Sequence, residues 1–296
     1  MRSQSRILAN PGSSREDKTL QMADNRMCSH CRAFVDSKEK ICPYCGGEMG
    51  RRLTQPVQSS ASSPMSSDAH FTTLIILTIN FGLYIAMMVL TYKLGSEDLF
   101  GIHYGVLEVF GGKARYNIIV GGEWWRLVTA GFLHAGIFHI LMNSWVLFDL
   151  GAQVEHTFGT SRFLVIYLVS SVVGFFASMY WTPALSTGAS AALCGLIGAM
   201  MAYARRTNQS FIWAMYMRWM IIIVIIGLII PVIDNAAHIG GFVGGFAIGY
   251  IAGSPTRDSQ MESLWKAAAS LACIIAVAAL AMAYQGISEA IASLQP

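Results

Sequence analysis

Of 296 residues, 54% are hydrophobic and only 12% charged, with a formal net charge of +3; a soluble globular domain carries about twice that charged share. The apolar residues gather into blocks long enough to cross a bilayer, which excludes an ordinary soluble enzyme and predicts an all-α, polytopic membrane protein. Basic residues sit singly or in pairs between those blocks, an arrangement that suits interfacial anchoring and predicts no nucleic-acid partner.

Residues 1–26 read as a disordered tail, rich in Ser, Arg, Asn and Asp. They contain no apolar core of a secretory signal, and Glu16 and Asp17 argue against an organellar transit peptide, so the amino terminus is expected in the cytoplasm. Residues 27–50 hold Cys28-x2-Cys31 and Cys42-x2-Cys45, with Pro43 and Gly46-Gly47 tightening the second turn. This is the spacing of a zinc ribbon. Two such knuckles bring four thiolates onto one tetrahedral Zn²⁺, and a fragment this small has no core of its own without the metal. Two disulfides are the competing reading, disfavoured in a reducing cytoplasm. The ribbon is either a structural knob or the docking point of a cytoplasmic partner. Cys194 and Cys273 lie alone in apolar blocks and read as packing residues.

Residues 51–70 form a Ser-, Pro- and Gln-rich flexible linker to the membrane domain. Apolar blocks follow at 71–94, 138–158, 161–181, 189–204, 219–233, 236–252 and 266–285, giving seven predicted spans. The first six form the domain at 71–252; residues 253–296 supply a linker and the seventh span. Arg51, Arg52, Arg205, Arg206, Arg218, Arg257 and Lys266 fall on one side by alternation, and the opposite short connections carry no Lys or Arg. The positive-inside rule then puts the amino terminus in the cytoplasm and the carboxyl terminus outside. Segment 95–137 balances Lys113, Arg115 and Arg126 against Glu97, Asp98, Glu108 and Glu123, and with Trp124 and Trp125 reads as a structured outer loop dipped into the interface.

Polar groups inside spans are costly and by default functional. Ser190 lies 15 residues before Arg205, His139 and Asn143 lie 16 and 12 before Glu155, and His238 lies 16 before Ser254. At the helical rise, all four stand roughly 18–24 Å above the inner boundary, on three helices that each run inward. Ser190, in Thr187-Gly188-Ala189-Ser190-Ala191, sits where a glycine turn starts a helix, so its amide faces outward unpaired and the dipole favours an oxyanion. Alone, such a serine would read as a helix cap. His238 begins the sixth span and suits a general base. Around it Gly240, Gly241, Gly244 and Gly245 match the small surface of Gly195, Gly198 and Ala199, so the fourth and sixth spans can meet closely. His139 and Asn143, four apart on one face, offer donors to the oxyanion or, on the blander reading, interhelical hydrogen bonds. Asp149 and Glu155 lie toward the cytoplasmic end, and Asp234 in a short outer turn is expected to be solvated; none is taken as a third catalytic member.

Over about residues 71–252 the chain resembles the rhomboid family of intramembrane serine proteases. The likeness rests on Trp125-Arg126, the run from His134 through His139 to Asn143, Gly188-Ala189-Ser190, and Ala237-His238 with its trailing glycines, in the family's order and spacing. The resemblance implies a rhomboid-like six-helix bundle and a Ser190–His238 dyad with no acidic third member. It also implies an oxyanion site from His139, Asn143 and the Ser190 amide, and an outward-open cavity. Transmembrane substrate proteins would be cleaved near the outer face, with lateral entry gated by the fifth span and the loop before the second. A seventh span would be an appendage. Catalysis would need no cofactor, and a bacterial plasma membrane is the expected setting. Two positions depart from the family pattern: Ala191 replaces the usual glycine after the serine, and Cys194 replaces the aromatic that packs on the imidazole. The other reading is a non-catalytic, client-binding membrane protein that works through its zinc ribbon. A transporter is disfavoured because no internal repeat is present.

Overall fold

The computed structural model describes residues 25–27, 34–36, 39–43, 46, 71–96, 98, 100–255 and 258–293. Two compact units result, Met1–Ser63 and Pro64–Pro296. In the first, strands β1 (Asn25–Met27) and β2 (Phe34–Asp36) pair antiparallel, Arg26 opposite Val35. Val35 and Cys42 are buried. Cys28, Cys31 and Cys45 of the expected metal set lie outside the described residues, as do the linker at 51–70 and nearly all of the tail.

The second unit is helical. Its elements are α1 (Phe71–Lys93), α2 (Tyr104–Val109), α3 (Arg115–Ile119), α4 (Arg126–Thr129) with a 3-10 turn at Ala130–Phe132, α5 (Ile137–Phe158), α6 (Thr160–Trp181), α7 (Ser190–Arg206), α8 (Ser210–Ile229), α9 (Asn235–Ala252) and α10 (Ser259–Ser293). Each of the seven apolar blocks corresponds to one long helix. Five of these, α1, α5, α6, α8 and the part of α10 at Ser259–Ser288, are long and apolar enough to cross a membrane by length and composition. Five such helices point to an integral, multi-pass membrane protein. Helices α7 and α9, of 17 and 18 residues, are the two shortest of the seven, and they open on Ser190 and on Asn235 with His238.

The fifth helix departs from its expected limits of 219–233. It begins at Ser210 and ends at Ile229, so Arg218 lies inside it, while Arg205 and Arg206 close α7 and residues 207–209 alone form the connection. Arg218 is exposed, and a helix tolerates a long basic side chain on an outer face.

Helix α7 occupies the centre because its small residues let neighbours approach. A Cβ on Gly241, Gly245 or Gly249 of α9 would lie 2.1 Å from Ala191 O, 2.0 Å from Gly195 O and 2.6 Å from Ala199 Cα respectively. The other two glycines of the α9 pattern face α6: Gly240 packs against Gly174 and Ala177, and Gly244 against Val173. On its α6 side, α7 presents Gly195 to Ser170. Three helices therefore meet backbone to backbone, the packing that drives association where lipid supplies no hydrophobic contrast. Helix α8 lies outside this core and buries only Tyr216, Met220 and Gly227. At the far end of the bundle, the buried Arg162 of α6 donates to Ala252 O of α9 at 3.2 Å and makes a two-pronged pair with Glu262 of α10 at 2.8 Å. Its guanidinium also stands 5.2 Å from the Trp265 ring.

Segment 95–137 is ordered by its own polar residues. Arg126, 5% exposed, pairs with Glu123, donates to Glu108 O and Gly112 O, and lies 4.9 Å over the Trp125 ring. Thr129 Oγ1 donates to Gly111 O at 2.7 Å. Two antiparallel bridges, Gly101 with Gly136 and Lys113 with Ser186, attach the segment to the starts of the site-bearing elements.

Candidate active site

Ser190 is the first residue of α7, so its amide belongs to a turn whose N–H groups have no partner four residues upstream. Gly188 makes the turn possible. Its φ of +130° is one that side chains rarely adopt, and a Cβ there would sit 2.6 Å from His139 Nε2 and 3.6 Å from Asn143 Nδ2. His139 and Asn143 of α5 thus press on the backbone two residues before the serine. Asn143 is 8% exposed, and its buried Nδ2 has no hydrogen-bond partner among the described residues. A donor in that condition carries an uncompensated desolvation cost and is suited to an acceptor that arrives later.

His238 enters from α9, one turn inside the helix. It is 7% exposed, and its Nε2 lies 2.8 Å from Ser190 Oγ. In that geometry a neutral imidazole with its proton on Nδ1 accepts from the hydroxyl. Nδ1 has no partner among the described residues. Asp234 does not reach it: Oδ1 accepts from Ala237 N at 3.0 Å, capping α9, and Oδ2 accepts from Ser178 Oγ. Asp234 is also not the solvated turn residue that the sequence suggested, because the buried Lys113 stands 4.0 Å away. Asp149 accepts from Gln153 on an exposed surface, and Glu155 accepts from Thr72 and Thr160. Both are committed elsewhere.

Sequence reasoning gave His134 no role of its own. It is wholly buried, its ring lies 5.1 Å from that of His139 edge-on, and its Nε2 accepts a long hydrogen bond from Ala189 N at 3.5 Å. Burial first, and then the neighbouring His139, push its pKa down to about 3, so the ring stays neutral and able to accept. Its position five residues before His139 was the available signal; its partner, an amide 55 residues away, was not. Ala191 and Cys194, the two departures, are buried at 0% and 1%. Ala191 lies between Gly174 and Gly241, where its methyl fits against residues lacking one.

Among the described residues no group of three or more His, Cys, Asp or Glu could hold a metal ion. Of the four expected thiolates, only Cys42 is among those residues.

Residues 121–255 match the family description "Rhomboid domain". The chain is 36% identical over 164 residues to Rhomboid protease GluP of Bacillus subtilis (strain 168), covering 54% of this chain and 32% of that protein. It is 35% identical over 167 residues to RHOMBOID-like protein 4 of Arabidopsis thaliana, covering 53% and 41%. Inactive RHOMBOID-like protein 8 of the same plant is 37% identical over 157 residues, covering 51% and 44%. The match thus spans half of each of these relatives or less, and it includes one named inactive. Residues 121–255, which carry all four of the polar groups assembled here, are thus similar to a rhomboid domain.

Proposed function

We propose that this protein is an intramembrane serine endopeptidase that cuts transmembrane segments of other membrane proteins near the outer face of the bilayer. The observation that carries the reading is the 2.8 Å approach of His238 Nε2 to Ser190 Oγ at the start of a helix. His238 takes the hydroxyl proton as Oγ bonds to the substrate carbonyl carbon. The carbonyl oxygen becomes an oxyanion facing the Ser190 amide, His139 and Asn143. Collapse breaks the C–N bond, with the proton passing from His238 to the leaving amine, and water, deprotonated by the same imidazole, then releases the acyl group from Ser190. Histidine works here without an acidic partner, since the nearby acids are engaged elsewhere. No cofactor enters the chemistry.

In this reading all seven long helices cross the membrane, the amino terminus is cytoplasmic and the carboxyl terminus outside, and the setting is a bacterial plasma membrane. Segment 71–252 is the protease domain. The segment at 27–50 binds one structural Zn²⁺ through Cys28, Cys31, Cys42 and Cys45, as their spacing supports, and serves as a docking point for a cytoplasmic partner. Metal analysis tests that part: wild type should carry one zinc per chain and Cys28→Ser or Cys42→Ser little or none, while equal zinc in all three ends the claim.

A non-catalytic, client-binding role is the second reading, favoured by the relative named inactive. The retention of both reacting side chains within hydrogen-bonding distance speaks against it. The deciding experiment reconstitutes the full chain in liposomes with a model transmembrane substrate. Wild type should cleave it and Ser190→Ala and His238→Ala should not; cleavage by all three, or by none, rejects the catalytic reading.

A further inference from the structure

Lys113 takes no part in the chemistry above, yet its side chain is wholly buried. A buried ammonium persists only where protein oxygens replace its water. Here Nζ donates to Thr182 O at 2.9 Å and Ala184 O at 2.7 Å and lies 4.0 Å from Asp234 Oδ2. Burial pulls its pKa down, an effect that Asp234 opposes and Arg115 reinforces. Its backbone is also committed, exchanging hydrogen bonds of 2.9 and 3.0 Å with Ser186.

Those partners belong to the two stretches that present the reacting groups. Residues 182–186 lead into the turn that delivers Ser190. Asp234 caps α9, and its carbonyl accepts from the His238 amide at 3.1 Å. A single cation from the outer loop therefore joins the approach to the nucleophile with the helix start that carries the base. Ser178 Oγ, which donates to Asp234, fixes the carboxylate from the end of α6.

We propose that Lys113, acting through Asp234, is a positioning residue that sets the separation of Ser190 and His238. The inference rests on the catalytic reading given above. Neither side chain touches the reacting atoms, so the loss should fall on turnover and not on substrate binding. Misplacement of a reacting pair by about 1 Å costs up to ~100-fold in rate.

The test uses the full chain in liposomes, measuring kcat, KM and thermal unfolding for wild type, Lys113→Met, Asp234→Asn and the double variant. Asparagine retains an oxygen that can cap α9, so Asp234→Asn removes charge while keeping the helix start. Lys113→Met should lower kcat by about 10- to 100-fold with KM little changed. Asp234→Asn should lower it in the same direction, and the double variant should be no worse than the more impaired single one, as for two residues acting as one unit. Wild-type kcat per folded molecule in either single variant, or losses that multiply in the double, overturns the proposal. Where Lys113→Met does not fold, Asp234→Asn alone decides. A wild type that does not cleave at all marks failure of the catalytic reading instead, and takes this inference with it.

Discussion

A methyl group on Gly188 would lie 2.6 Å from His139 Nε2, on a backbone whose φ of +130° already resists a side chain. Gly188→Ala should therefore move either the turn or the imidazole. Strain of about 1–3 kcal/mol at that point is expected to cut substrate cleavage by ~10-fold or more, while the protein still folds; unchanged kcat would show that the turn does not register the site. Asn143→Ala tests a different quality, the supply of a donor. Removing one oxyanion donor typically lowers kcat by about 10²–10³-fold, and the interhelical reading predicts instead a lowered unfolding temperature with kcat per folded molecule preserved. Ser190, His238, His139 and Asn143 stood out as candidates in the sequence because each is a polar group at one depth of an apolar helix. His134 and Asp234 did not, because their roles are defined by an amide 55 residues away and by the ammonium of Lys113, and sequence distance hides both partners.

At the scale of elements, Ser190 and His238 are brought together by glycine. The Cβ positions of Gly241 and Gly245 fall within 2.1 Å of carbonyl oxygens of α7, which cannot move aside as a flexible side chain could. Gly245→Ala should force α9 away from α7, an overpacking of about 1–3 kcal/mol. Lowered thermal stability together with lost cleavage is the expected outcome, and a variant equal to wild type in both would show that the interface has slack. The small-residue pattern told which helices could meet but not that Gly240 and Gly244 would turn to α6, since four glycines in a row of overlapping pairs suit two neighbours equally. Helix α8 was placed too late in the chain because Arg218 reads as a boundary, although an exposed arginine sits comfortably on a helix face.

For the molecule as a whole, the last helix is more than an addition to a finished core. Arg162 of α6 is buried by the approach of α10, and its charge is met by Glu262 and the Trp265 ring. Glu262→Ala should leave a buried guanidinium short of partners, at about 1–3 kcal/mol, seen as a lower unfolding temperature in detergent; no change would return α10 to the status of an appendage. The central claim concerns the Ser190 hydroxyl, and it is met most directly by covalent labelling of the detergent-solubilised chain with a fluorophosphonate, read by intact-protein and peptide mass spectrometry. A single phosphonyl adduct on Ser190, formed by wild type and lost in folded His238→Ala, is the predicted result. Absence of an adduct at Ser190, or equal rates of labelling with and without the imidazole, would contradict it.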